Sequence, residues 1–585
     1  MKRNNYSFII PILILGVVLL IACSKSFLDI PPAASLSPNT LANKTGAEAI
    51  LVGAYSLLDG EGGAGGGNGP WATAASNWVY GSTPGGDAHK GSDAGDQNLI
   101  TPIETWNTLP ANNYLVDVWR ARYDGVQRAN EAIRIMRLAK DVTAADTIQI
   151  TAEARFLRAH YAFELYKMFK NIPWIDENIT YSKGNWHVPN TTDVLPNIEA
   201  DLAYAYANLP ETQSQVGRAN KWAAASYLGK IYLWEKKYSD ARTLLTTVVA
   251  NGKTSGGLPY KLVAHYADNF NPATKNSSES ILAAQNSVND GSGAGNANAG
   301  DVLNFPYSPN SPGGCCGFFQ PSYSFVNSFK TDPANGFIPF LDGSFNNADL
   351  KNDEGIPEST PYVADIVTPV DPRLDWSVGR RGIPYLDFGI MPGTSWIRDQ
   401  ASAGPYAPIK NVYYKSQKGV FTDNSSWTSG YTANNTNLIR FADVLLWAAE
   451  AEVEGGGTLA QALKYVNMVR ARAMDPSGFV QGSVANYQIG LYTSFPSADY
   501  ARKAIYFERK VELGMEGHRF FDLVRWGIAA TELQAYQQHE LASGYLIMKN
   551  VVFHPGKSEF LPIPQTEIDL SSQAGKSVLT QNPGY

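Results

Sequence analysis

Apolar side chains return every three to four residues along 39–58, 114–140, 151–169, 195–209 and 219–249, which predicts a series of amphipathic helices. In 151–169 the apolar face is Ala154, Leu157, Tyr161, Leu165 and Met168, and Pro173 ends the run. Between 219 and 249 the pattern is more specific. Leu228 with Gly229, Tyr232, Ala241 and Leu245 fall on the small and large positions of a tetratricopeptide repeat. One such helical pair cannot cover its own apolar face, so further pairs must stack on it. The segments 114–169 and 441–473 supply them, with Thr458 a natural N-cap after Gly455, Gly456 and Gly457.

The pattern breaks twice. Residues 59–112 contain a glycine run from Gly60 to Gly69, then Trp71, Trp78, Tyr80 and Trp106 among Gly, Ser, Asn and Asp. Residues 279–435 show short strand-like pieces, 281–285 and 411–415, between long turn-rich segments carrying Tyr307, Phe318, Phe319, Tyr323, Trp376, Trp396, Arg398, Trp427 and Tyr431. Irregular length of this kind is usually functional. The expected fold is mainly α: helical repeats over about 39–58, 114–250 and 436–545 form one domain, 39–585, whose loop-rich, partly β face comes from about 59–112 and 279–435.

Composition narrows the setting. Of the 585 residues 17% are charged and 12% aromatic, with 31 Tyr and 13 Trp, a lean toward polar-aromatic surfaces. The net charge of −7 is small and no long basic run occurs, which excludes a nucleic-acid footprint. Lys2 and Arg3 precede an apolar run that ends at Leu20-Ile21-Ala22-Cys23, an export signal over 1–22. A small residue directly before cysteine resembles a lipobox. Cys23 would then be lipidated, anchoring the protein to a membrane through the tether 23–38. The other two cysteines, Cys315 and Cys316, are adjacent in a glycine-rich loop. A vicinal disulfide and two thiols are both open, with an oxidising exterior favouring the first; the ring would stiffen an exposed aromatic tip at Phe318 and Phe319.

The densest chemistry lies in 506–526, where Glu508, Glu512 and Glu516 recur every four residues and would stack as like charges on a helix. Arg509, Lys510, Arg519 and Arg525 are close in sequence, and Gly517 offers a helix stop. A catalytic carboxylate cluster and a buried ion-pair network both fit; the absence of metal-ligand spacing and a base for each acid favour the network. The chain has no HExxH, no zinc spacing, no GxSxG elbow and no P-loop. Asp93 with Asp96, and the run 349–353, lack the ligand order of an EF-hand. No metal and no cofactor is indicated. A glycosidase needs only two carboxylates from distant parts of the chain, so that class stays open.

Aromatic loops provide the positive signal. A flat indole or phenol covers the C–H face of a sugar ring while neighbouring amide, carboxylate and guanidinium groups bond its hydroxyls. Trp78, Tyr80, Asp87, Lys90 and Asn98 form one such set, and Trp396, Arg398, Trp427 and Tyr431 another.

Together these features resemble the SusD/RagB family of outer-membrane lipoproteins. The resemblance runs through Cys23 with Phe27-Leu28-Asp29, the segment Asp87-Ala88-His89-Lys90-Gly91, Ala152-Glu153-Ala154-Arg155, Leu228-Gly229, Asp371-Pro372-Arg373, Arg440-Phe441-Ala442-Asp443, the stretch from Glu508 to Trp526 and the closing Gln581-Asn582-Pro583-Gly584-Tyr585. It implies a tetratricopeptide-like scaffold and a surface lipoprotein that captures oligosaccharide and, as a lid, delivers it to a SusC-like TonB-dependent barrel. No covalent chemistry is implied. The family does not hand over contact residues here; Trp78, Asp87, Trp396, Arg398, Trp427 and Tyr431 are the candidates from composition and position. Capture of a peptide or other nutrient by the same mechanism is the alternative.

Overall fold

In the computed structural model, which describes residues 38–60 and 68–585, helices α1 (Lys44–Tyr55), α2 (Asn113–Leu138), α3 (Ala144–Phe169), α4 (Leu195–Asn208), α5 (Lys221–Trp234) and α6 (Tyr238–Asn251) pack each against the next. The export signal, Cys23 and the tether before residue 38 lie outside the described residues. Helix α6 meets α7 (Phe441–Glu454), and α8 (Leu459–Met474) and α9 (Ala498–Leu513) continue the stack. The irregular residues 252–440 are therefore an insertion between two helices that touch. Among the described residues no helix is long and apolar enough to cross a membrane.

Local chemistry explains the helix limits. The side chains of Asn43, Asn220, Thr458 and Ser497 each accept an amide hydrogen bond in the first turn of α1, α5, α8 and α9. Thr143 and Asp146 close a capping box on α3. The repeat spacing also has a direct cause: a Cβ on Gly229 of α5 would come within 2.5 Å of Leu245 on α6, so the small position sets how closely the pair approaches.

Among the short strands, β1 (Ala88–Gly91) pairs antiparallel with β3 (Phe318–Pro321), and β2 (Ser280–Ala284) with β4 (Thr436–Arg440). Residues 411–415 form no strand; the Val412 amide donates to the Ile409 carbonyl in a turn. Residues 72–92, expected as open loop, are almost wholly buried. The segment threads through the body because its polar groups find partners there. Tyr80 donates its hydroxyl to the carbonyls of Ala72 and Tyr114, and the Met515 amide donates to Asp87. Gly517, at φ +77°, meets this segment so closely that a Cβ would strike the Ser76 carbonyl.

The acids of 506–526 form a buried ionic lattice. Helix α9 ends at Leu513, so Glu516 sits on the following turn and only Glu508 and Glu512 share a helix. Their cations come from far along the chain. Glu508 accepts from Arg373 (2.7 Å) and Arg470 (2.8 Å); Glu512 accepts from Arg373 (2.8 Å), Arg440 (2.5 Å) and Arg472. Glu516 accepts from Arg440 (2.8 Å) and Lys410 (2.7 Å), while Glu279 accepts from Arg440 and Arg472 and Asp371 from Arg373. The sequence-near cations do other work: Arg509 bridges Asp443 and Asp522, Arg525 bridges Glu450 and Asp522, and Arg519 meets Glu532. Local proximity does not bring them to the glutamates, because the helix rotates Arg509 to another face and the turn at 514–517 carries Arg519 and Arg525 away.

Burial alone would raise Glu512 and Glu516. For Glu512 it is outweighed by Arg472, Arg440 and Arg373, and for Glu516 by Arg440 and Lys410, which hold that carboxyl at about 2. Folded values below the ordinary 4.5 mean that the stability these groups contribute is complete above pH 4.5 and is lost as the pH falls toward 2. Acid titration of the folded signal is expected to show this loss. Glu512→Gln is expected to lower stability at neutral pH by about 3 kcal/mol, since it leaves buried guanidinium charge uncompensated; chemical denaturation measures it.

Candidate functional site

Four segments meet on the irregular face. Ser92 leaves β1 by donating its amide to the Gly317 carbonyl, and the Tyr307 amide donates to the Trp396 carbonyl at 2.9 Å. The backbone pairs Ala433 with Phe421 and Asp423 with Tyr431, making a hairpin with Trp427 at its tip. Thr428 ties that tip to the Gly313 carbonyl through its hydroxyl.

Arg398 is the ionic centre. Its Nη1 donates to Asp96 (2.7 Å) and to the Ser92 hydroxyl (2.9 Å), its Nη2 meets Asp93 at 2.5 Å, and its guanidinium lies 5.1 Å from the centre of the Tyr307 ring. Beneath the same loop, buried Lys90 donates Nζ to the carbonyls of Asp93 (2.6 Å) and Asp96 (2.7 Å). The loop is thus held by its main chain from inside and by its carboxylates from outside. The amides of Asp96 and Gly95 also bond the Asp93 carboxylate and, with Arg398, keep it below its usual range. Two aromatic rings stand open on this face: Tyr307, 37% exposed, against Arg398, and Trp427, 59% exposed, on the hairpin tip that Thr428 ties to Gly313. Trp427 donates Nε1 to the Tyr431 hydroxyl (3.3 Å), with the two rings nearly perpendicular.

Of the residues selected from sequence, Arg398, Trp427 and Tyr431 belong to this surface and the other three do not. Trp78 is fully buried, its Nε1 bonded to the Gly300 carbonyl (3.1 Å) and its ring against Phe318 and Phe319. Asp87 is fully buried between Ser82 and the Met515 amide, and burial lifts its carboxyl to about 6. Trp396 packs edge-on to Tyr385 in a small core with Phe305 and Met391 under the loops. Asp87 and Lys90, the charged neighbours that suggested a sugar site around Trp78, are spent on hydrogen bonds inside the body. From the first aromatic set, Tyr80 and Lys90 are likewise buried and Asn98 is exposed. Phe318 and Phe319 are buried as well, because β3 pairs with β1 where an exposed tip was expected. A vicinal disulfide joins Cys315 to Cys316; Cys316 is buried and Cys315 half-buried against the core.

Tyr307, Asp93 and Asp96 are members that sequence reasoning did not select. The spacing of Asp93 and Asp96 was visible, but their cation lies some 300 residues away in sequence. Among the described residues no group of His, Cys, Asp or Glu is arranged to hold a metal ion. A separate cleft of about 300 Å³, lined by Val216, Arg218, Leu258, Asn276 and Gln285, has no aromatic wall. A second exposed pair, Tyr181 and Trp186, stands on the loop between α3 and α4, with one Trp186 face given to His187 at 3.5 Å.

Comparison with known proteins agrees with this architecture. The SusD family model matches residues 278–585, and a model described as starch-binding associating with outer membrane matches 72–233. The chain is similar to a SusD-like protein of Formosa agariphila, 25% identical with 98% of this chain and 99% of the relative covered, and to one of Bacteroides ovatus, 26% identical with 72% and 67% covered. Among solved structures, a laminarin binding SusD-like protein superposes with a TM-score of 0.63 at 26% identity, covering 93% of this chain and all of that one. Surface glycan-binding protein A from Bacteroides thetaiotaomicron, in complex with laminarihexaose, gives 0.61 at 21% identity over 92% and 98%, a likeness of fold. With more than half of its length matched by the family model and nearly all of it covered by SusD-like relatives, the chain belongs to the SusD family.

Proposed function

We propose that this protein captures oligosaccharides at the cell surface on the open face built around Tyr307 and Trp427. The observation that carries the reading is the exposed Tyr307 ring against Arg398, Asp93 and Asp96, an apolar plane next to groups that bond hydroxyls, with the exposed Trp427 indole on the hairpin tied to the same loop. The carbohydrate ligands named for the laminarin-binding and laminarihexaose-bound relatives support the class of ligand. An open platform also suits a polymer better than a closed cavity. Export by 1–22, lipidation at Cys23 and seating of the 39–585 domain on a SusC-like barrel, as a lid that hands on the glycan, complete the proposal.

Binding without turnover fits the two acids beside Arg398. A glycosidase needs a carboxylic acid whose pKa is raised so that it can protonate the leaving oxygen. Asp93 is instead held low, and both it and Asp96 are committed to Arg398.

Isothermal titration against an oligosaccharide panel tests the site. Tyr307→Ala and Trp427→Ala are each expected to weaken binding by about tenfold or more, the size of a central aromatic contact, with the melting temperature unchanged. Binding by the wild type that both variants retain in full would remove the site from this face. Trp78→Ala is expected to behave oppositely, losing about 3–5 kcal/mol of folding stability by opening a cavity, as thermal melts and chemical denaturation will record.

A further inference from the structure

We infer that this surface selects uncharged glycans and disfavours uronate-bearing or sulfated ones. The inference rests on the glycan-capture reading and narrows its ligand class. In the four segments that frame the open rings, 92–98, 307–317, 394–398 and 424–431, Arg398 is the one cationic residue and Asp93 and Asp96 are the acids. The formal charge of the frame is therefore −1.

The arrangement of that charge matters more than its sum. A site built for carboxylate or sulfate presents a guanidinium whose paired donors are free to meet the anion. Here the guanidinium already faces two carboxylates. Nη1 is bonded to Asp96 and Ser92, Nη2 to Asp93, and its carbon lies 5.1 Å from the centre of the Tyr307 ring. An anionic sugar that approached the remaining N–H groups of Arg398 would meet a cation already neutralised by two carboxylates, at 2.5 and 2.7 Å, and would be repelled by both. Lys90 offers no help, because its ammonium is buried beneath the loop and held by two carbonyls. Lys415 and Lys418 precede the hairpin strand at Phe421, at the end opposite its Trp427 tip.

The same groups suit a neutral sugar. The two carboxylates keep lone pairs for hydroxyl donors, and Tyr307 and Trp427 supply planes for apolar sugar faces. Exposed charges act over roughly a Debye length, about 8–10 Å at ordinary ionic strength, so the repulsion reaches a sugar seated on either side of Arg398 but is weakened by salt.

The test is isothermal titration of the soluble protein with paired probes: laminarihexaose, maltohexaose and cellohexaose, each neutral and each after oxidation at C6 to the uronate, alongside sulfated and uronate oligosaccharides. The expected result is binding of a neutral probe at least about tenfold tighter than its oxidised partner at low salt, the gap narrowing at high salt. In Asp93→Asn with Asp96→Asn the ratio of anionic to neutral affinity should rise by about tenfold, because Arg398 is released. Tighter binding of an anionic probe by the wild type overturns the inference and leaves glycan capture standing. An unchanged ratio in the double variant, checked to be folded by its melting curve, overturns the assignment to these carboxylates. Binding of no probe of either kind defeats both.

Discussion

Charge balance inside a dry interior is the constraint on which this fold depends. Arg373, Arg440, Arg470, Arg472 and Lys410 stand against Asp371, Glu279, Glu508, Glu512 and Glu516, five on five, with side chains almost wholly out of water. Each ion would be severely destabilising alone, and the lattice need not be more stable than an apolar core of the same volume. What it supplies is registration. Glu508 and Glu512 sit on α9, Arg470 and Arg472 on α8, Glu279 beside β2 and Arg440 on β4, and Asp371, Arg373 and Lys410 come from the irregular insertion. Only one docking of insertion on helices neutralises all of them together. A hydrophobic contact tolerates a slide of an ångström or two, whereas this arrangement does not.

Much of the helical scaffold was legible because helices announce themselves locally. The periodicities of 114–140 and 151–169, the Gly229 and Leu245 positions and the Thr458 cap all have causes within a turn or a neighbouring helix, and the structure places α2, α3, α5, α6 and α8 there. The site was less legible for an equally physical reason. Whether a tryptophan faces solvent is decided by what folds over it. Trp78 and Trp427 sit in similar polar, glycine-rich surroundings, yet one is enclosed by Gly300, Phe318 and Phe319 and the other stands on a hairpin tip. The glutamate row was read correctly as an ion-pair network and assigned the wrong cations, because sequence proximity is a poor guide once a turn such as 514–517 redirects the chain.

The lattice and the surface also divide the charges of the molecule by purpose. In the interior Arg373, Arg440 and Arg472 each meet two or more acids at once and fix the path of the chain. At the surface Arg398 performs a smaller version of the same task, joining Asp93 and Asp96 to the Tyr307 ring and so binding two loops that share no sequence neighbourhood.

Lys90 gives that surface a further property. Its buried ammonium fills the inside of the 93–96 loop as a keystone fills an arch, bonding both flanking carbonyls before anything arrives from outside. A loop in this condition has already lost its conformational freedom during folding, so a ligand resting on it has little disorder left to remove. Recognition at the proposed site would accordingly be a matter of fit to a finished shape, with the time a ligand stays set by the contacts it makes there.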